Sequence, residues 1–403
     1  MRKAQPVSEQ PQHSNDRVRR SNLVAVLRAL HLDGAQSRAQ LTRRTGLYRS
    51  TIAALVAELI ERDLVAESLP ETRVGVGRPS PIVTINPRVV AISVYPDVDA
   101  LIGGVVGLGG TIHRRWRKPL TAKPTPEDAV ELIAEAVSQV ESELGRDHRI
   151  IGLGVALPAL VDTDAGSVTL APNLDWHGVP FAQMLRDRLG ISAMIANDAQ
   201  LGATAEREFG SASGVGNMIY LNGSGGGIGG GAFVDGREMR GFRGYGAEFG
   251  HIVIDHGGEA CFCGQHGCFE RCVRRDALVA ALGVDSIDDE ELGELLAGSD
   301  DPLVLGEVAR QVDRLAAGIS MLISVFAPER VVLGGFLASL YAARREELVR
   351  LVAERSFTLL ADRVEIVSGG LGSREVLLGA AERVFEGLFA DPARFRSARA
   401  DSE

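Results

Sequence analysis

Cys261-Phe262-Cys263 is followed by Cys268, and His251 stands ten residues before the first thiol. Three thiolates and one imidazole match the tetrahedral, soft-ligand coordination that zinc prefers. The spacing Cys-x-Cys-x4-Cys is tighter than that of a zinc finger, but Gly264 and Gly267 let the chain wrap. A Cys3His set leaves no open coordination position. The expected cofactor is therefore one structural Zn2+ per chain, held by His251, Cys261, Cys263 and Cys268. His256 and His266 compete for the imidazole position, and Cys272 reads as a buried thiol on a helix starting near 269. The plainer alternative is a set of reduced cysteines in a compact loop.

Two other stretches could hold a ligand. Asn197-Asp198 falls where a strand over 192–195 gives way to a helix, and ligands of open α/β sheets lie at the carboxyl ends of strands. A strand over 217–221 feeds the run Gly223 to Gly231, which allows a tight turn and close approach of backbone to a ligand. That run lacks the Gly-Lys-Ser/Thr ending of a phosphate loop, and its placement is not that of a dinucleotide fingerprint.

These residues need a scaffold, and the patterning supplies one. Strands are expected at 89–94, 100–106, 111–116 and 150–156, with helices at 126–144 and 180–189. A long helix over 301–326, a strand at 331–333 before Gly334-Gly335, and a final helix over 373–388 follow. Strands alternating with helices make the body α/β.

The first 87 residues differ in character. Residues 1–17 are polar and Pro/Gln-rich and read as a disordered arm. A helix over 22–31 carries Leu23, Val26, Leu27 and Leu30 on one face. Ser37 and Gln40 form a capping box for a second helix, which Gly46 stops. A third helix covers 49–63, and extended segments near 65 and 82–85 flank a glycine-spaced loop to make a two-stranded wing. This is the pattern of a winged helix-turn-helix, whose third helix enters the major groove of DNA by its N-terminal end. Arg49, Ser50 and Thr51 are the candidates there. Arg38, Arg43 and Arg44 can reach phosphates, and Arg73 and Arg78 serve the wing. A three-helix protein-interaction module is the alternative.

Charge agrees with a DNA-binding head. Residues 1–85 hold 13 Lys/Arg against 8 Asp/Glu, a balance of +5, so the net −10 leaves −15 for the remainder. Only the basic head needs to approach phosphates. No apolar run is long enough for a membrane span, and the N-terminus has no secretory signal, so no membrane partner is expected. Four cysteines, three of them crowded, fit a reduced, cytoplasmic compartment.

The segment from Gly246-Ala247-Glu248-Phe249-Gly250-His251 through Cys261-Phe262-Cys263-Gly264-Gln265-His266-Gly267-Cys268-Phe269-Glu270 resembles the ROK family, whose members are bacterial sugar kinases and sugar-responsive repressors. The resemblance covers about residues 18–390. Gly77-Arg78-Pro79-Ser80 looks like the repressor branch. The resemblance implies a winged helix-turn-helix over 18–87, then a two-lobed actin-like (ribonuclease H-like) sugar-kinase fold, with lobes at 88–198 and 199–390; past the final helix, residues 391–403 read as a loose tail. It also implies that Asn173, Asn197, Asp198, Glu248, His251 and Glu270 bind sugar, His251 serving both sugar and zinc. In the kinases, the Asp at position 198 is the general base.

Three departures qualify this. The kinases' Asp-x-Gly-Gly-Thr turn is here Ser93-Val94-Tyr95-Pro96-Asp97, a poor cradle for ATP. Ala159 replaces the glycine of Pro-Gly, and Tyr48 stands where Ser or Thr caps the recognition helix. The expectation is a non-enzymatic repressor of carbohydrate genes, nucleoid-associated in bacteria. It would bind double-stranded operator DNA as a homodimer or tetramer and respond to a monosaccharide between the lobes. A sugar kinase with a regulatory head, and a DNA-binding scaffold without a ligand, are the alternatives.

Overall fold

The structure is a computed structural model describing residues 11–69, 80–145, 148–285 and 287–395. Arg73 and Arg78 lie outside the described residues, as do residues 1–10.

The head contains the helices Pro11–Asp33, Arg38–Thr45 and Arg49–Glu61 and the strands Gln36–Ser37, Val65–Ser68 and Ile82–Ile85. Ser37 accepts the Gln40 backbone N–H while the Gln40 side chain bonds back to Ser37, so the capping box closes. Gly46, at φ 71°, takes the left-handed conformation that ends the second helix. The first helix begins at Pro11, so residues 11–17 are not the disordered arm read from composition. Ion pairs from Arg19 to Glu58 and from Arg20 to Asp391 hold its polar N-terminal half, which has no apolar period. The wing sheet has three strands rather than two, because Gln36 and Ser37 pair with Val83 and Ile82.

The body repeats one arrangement twice. In the first sheet, Val89–Pro96 pairs antiparallel with Ala100–Gly107 and parallel with Arg149–Leu157; Ile112–Pro119 and Ala193–Asn197 form the edges. In the second, Met218–Ser224 pairs antiparallel with Gly227–Val234 and parallel with Arg330–Gly335; Arg237–Glu238 and Glu365–Ser368 form the edges. Most of the glycine run is thus a strand. Gly229 and Gly231 lack the Cβ atoms that would overlap Ala199 and Ala203, so the helix Asp198–Phe209 packs tightly on this sheet.

The helix Glu375–Ala390 lies against both that helix and the first sheet, although sequence order puts it with the second lobe. It also receives the head. Leu23, Leu27 and Leu30 share one apolar cluster with Leu378, Phe385, Leu388 and Phe389. At its centre His31 is buried among Phe209, Phe385 and Phe389. Its Nδ1 accepts the Gly109 N–H at 2.8 Å, so Nε2 is left to donate to Glu382 at 3.1 Å. The loose tail is also corrected over 391–395: Arg62 donates to the Phe395 carbonyl, and the Arg149 guanidinium stacks 3.7 Å from the Phe395 ring. Among the described residues no helix is long and apolar enough to cross a membrane.

Candidate functional site

The knot comes first because its neighbours depend on it. Backbone bridges Val253 to Cys268 and Ala260 to His266 fold residues 252–269 back on themselves. Gly267, at φ 69°, passes so close to the Asp255 carbonyl that no Cβ would fit. As a result His251, Cys261, Cys263 and Cys268 present ligand atoms that all lie within 4.8 Å of one another. Cys263 Sγ is 3.5 Å from Cys268 Sγ, and Cys261 Sγ is 3.6 Å from His251 Nδ1. Ligands about 2.3 Å from a tetrahedral ion stand about 3.8 Å apart, whereas disulfide sulfurs stand about 2 Å apart. The residues therefore fit a bound metal ion. His256 and His266 are not part of this cluster. Cys272 is buried and donates to the Gly267 carbonyl at 3.8 Å.

Glu270 packs beside the knot, its Oε1 3.1 Å from Cys261 Sγ and 3.6 Å from His251 Nδ1. The turn joining the glycine-rich hairpin comes against it: a Cβ on Gly227, at φ 136°, would overlap Glu270, and one on Gly226 would overlap the Asn173 amide. The turn thus links Asn173 of the first lobe to Glu270 of the second by backbone alone.

Asp198 heads its helix at the other side of the cleft. Its Oδ1 accepts the Ala199 N–H at 2.8 Å, and its Oδ2 accepts the Tyr95 hydroxyl at 3.1 Å. Burial raises its carboxyl to about 6, aided by Asp97, although both hydrogen bonds favour the anion. Glu248 is exposed, yet partial desolvation, with Asp198 and Glu270 nearby, raises it to about 7. Asn197 caps the helix: its Oδ1 accepts the Gln200 N–H and its Nδ2 donates to the Ala159 carbonyl, leaving one amide N–H for a ligand.

Sequence reasoning missed two residues. Gln200, buried one turn into the helix, donates to the carbonyls of Gly244 and Gly246 at 2.9 Å and so pins the segment that leads to Glu248. Tyr95 stands out in the sequence only as part of the altered first turn. Neither carries a sequence signal, since each acts on a partner far along the chain.

On the head, Arg43, Arg49 and Ser50 are exposed. Arg38 is instead held by Glu67 through two 2.6 Å bonds, and Arg44 by Asp33 at 3.0 Å. Tyr48 precedes the third helix without capping it and is 83% exposed.

The chain is thus a winged helix-turn-helix seated on a two-lobed, actin-like body with a Cys3His knot. The ROK family model matches residues 98–385, and the chain belongs to that family. A putative xylose repressor of Caldicellulosiruptor sp. is 27% identical, covering 93% of this chain and 98% of its own length. The Thermotoga maritima glucokinase is 31% identical but covers 70% of this chain and 93% of itself. Among solved structures, a ROK family transcriptional regulator homologous to the Escherichia coli MLC protein superposes with TM-score 0.77, at 23% identity, over 93% of this chain and 98% of its own; it establishes the fold.

Proposed function

We propose that this chain is a sugar-responsive transcriptional repressor. Its head binds operator DNA through Arg43, Arg49, Ser50 and Thr51, together with Arg73 and Arg78, and a monosaccharide in the cleft weakens that grip. Arg38 and Arg44 would have to leave Glu67 and Asp33 to reach phosphates. The observation that carries the reading is the packing between cleft and head. The helix that begins at Asp198 lies against Glu375–Ala390, and that helix bears the head. Glu206 strengthens the joint, accepting backbone N–H groups of Ser211, Gly370 and Leu371. A change at Asp198 therefore has a continuous packed route to the first helix of the head.

Asn173, Asn197, Asp198, Glu248, His251 and Glu270 hold the sugar hydroxyls. The ion in the knot is Zn2+, one per chain. It would supply structure, fixing the His251 ring through Nδ1 so that Nε2 can hold one hydroxyl. The first phosphate turn is lost, so the protein does not phosphorylate its ligand. Two copies bind a two-fold operator, in the cytoplasm, at the nucleoid.

The test is binding of the zinc-loaded protein to its own upstream DNA, by fluorescence anisotropy, with and without a panel of monosaccharides. One sugar should raise the DNA Kd at least tenfold. Tight binding that no sugar alters would defeat the effector reading. ATP hydrolysis that requires a sugar and vanishes in Asp198→Asn would replace it with a kinase.

A further inference from the structure

Beside the turn between the strands Val89–Pro96 and Ala100–Gly107, Tyr95 reaches Asp198. Tyr95 donates its hydroxyl to Asp198 at 3.1 Å. Burial holds that phenol well above its ordinary value, so it remains a donor. Asp97 accepts the Val98 N–H at 2.8 Å, is largely enclosed, and lies close enough to Asp198 to raise its carboxyl. Asp99 follows in the same turn. The one guanidinium paired there, Arg117, is spent on Asp99 at 2.7 Å. Among the described residues no Lys or Arg forms an ion pair with Asp97, Asp198 or Glu248.

A carboxylate such as Asp198 binds a sugar by accepting a hydrogen bond from a hydroxyl. A phosphate ester at that hydroxyl has no proton to give and adds about −1.5 to −2 charges. Here it would meet the carboxyls of Asp97 and Asp198, neither of them paired with a Lys or Arg among the described residues, and like charges at short range repel. The enclosing Tyr95 ring also takes up room that a bare glycine turn would leave.

Resting on the sugar-effector reading, we propose that Tyr95 is part of the effector pocket and, with Asp97, restricts it to sugars unesterified at the hydroxyl facing Asp198. The effector then carries a free hydroxyl, not a phosphate, at that position.

The experiment is titration calorimetry on the zinc-loaded full chain with xylose, glucose, N-acetylglucosamine, glucose 6-phosphate and N-acetylglucosamine 6-phosphate. A neutral sugar should bind, and any phosphate ester at least tenfold more weakly. Tyr95→Phe should weaken the neutral sugar at least threefold with an unchanged Tm. A phosphate ester that binds as tightly as any neutral sugar overturns the restriction while leaving the effector reading intact. A Tyr95→Phe protein whose affinity falls by less than threefold, or rises, removes Tyr95 from the pocket. If no sugar of either kind binds, the effector reading itself falls, and this inference with it.

Discussion

The two lobes build the same hairpin and finish it in opposite ways. In the first lobe the turn after Pro96 is Asp97-Val98-Asp99, with Tyr95 reaching inward. In the second it is the turn through Gly225 and Gly226 into Gly227, where backbone lies directly against Asn173 and Glu270. The strand pairing is alike: an antiparallel hairpin beside a parallel neighbour. What differs is what reaches the cleft, acidic and phenolic side chains on one side and bare main chain on the other. Shared topology therefore does not fix shared chemistry, and a turn that keeps its backbone course can change what its lobe admits.

The largest expected effect falls on the second-lobe side. Cys261→Ser, or removal of the ion by a chelator, should lower Tm on the order of 10 °C, because a structural zinc supplies several kcal/mol of folding energy. Elemental analysis together with a thermal scan checks this, and a chelated protein with unchanged Tm would leave the knot without a structural ion. Next, Gly227→Ala forces a Cβ onto Glu270 at a φ that L-residues rarely adopt. The sugar Kd should rise roughly 30-fold, about 2 kcal/mol. Unaltered affinity by calorimetry would mean that the bare turn does not touch the ligand.

Asp198 gives a smaller effect with a definite sign. Its folded carboxyl stands at about 6, above its ordinary 3.8. The contribution is fully present below the ordinary value and is lost as pH rises through about 6, at most about 3 kcal/mol. Asp198→Asn should remove this loss, so that variant and wild type differ more in Tm at pH 7.5 than at pH 4.5. Parallel pH profiles would contradict the burial of this carboxyl. Smallest is Asp99→Asn, which breaks only an exposed pair with Arg117. Its Tm should shift by no more than about 2 °C, as surface ion pairs are worth about 0–1 kcal/mol.

The sequence by itself determined what short spacing can encode. The Cys-x-Cys-x4-Cys pattern with His251, the capping box at Ser37 and Gln40, and the alternation of strands with helices are local, and each is visible within a few turns of chain. The basic residues of the head were legible too, but not that Glu67 and Asp33 already hold two of them. The tertiary structure alone decided the long-range pairs. Tyr95 meets Asp198 across 103 positions, and His31 meets Glu382 across 351. It also sent the last helix back to the first sheet and placed the glycine turn against Asn173 and Glu270. Such contacts leave no period in the sequence. They form only when two distant segments, each already patterned for its own element, are pressed together by burial of the apolar faces they share.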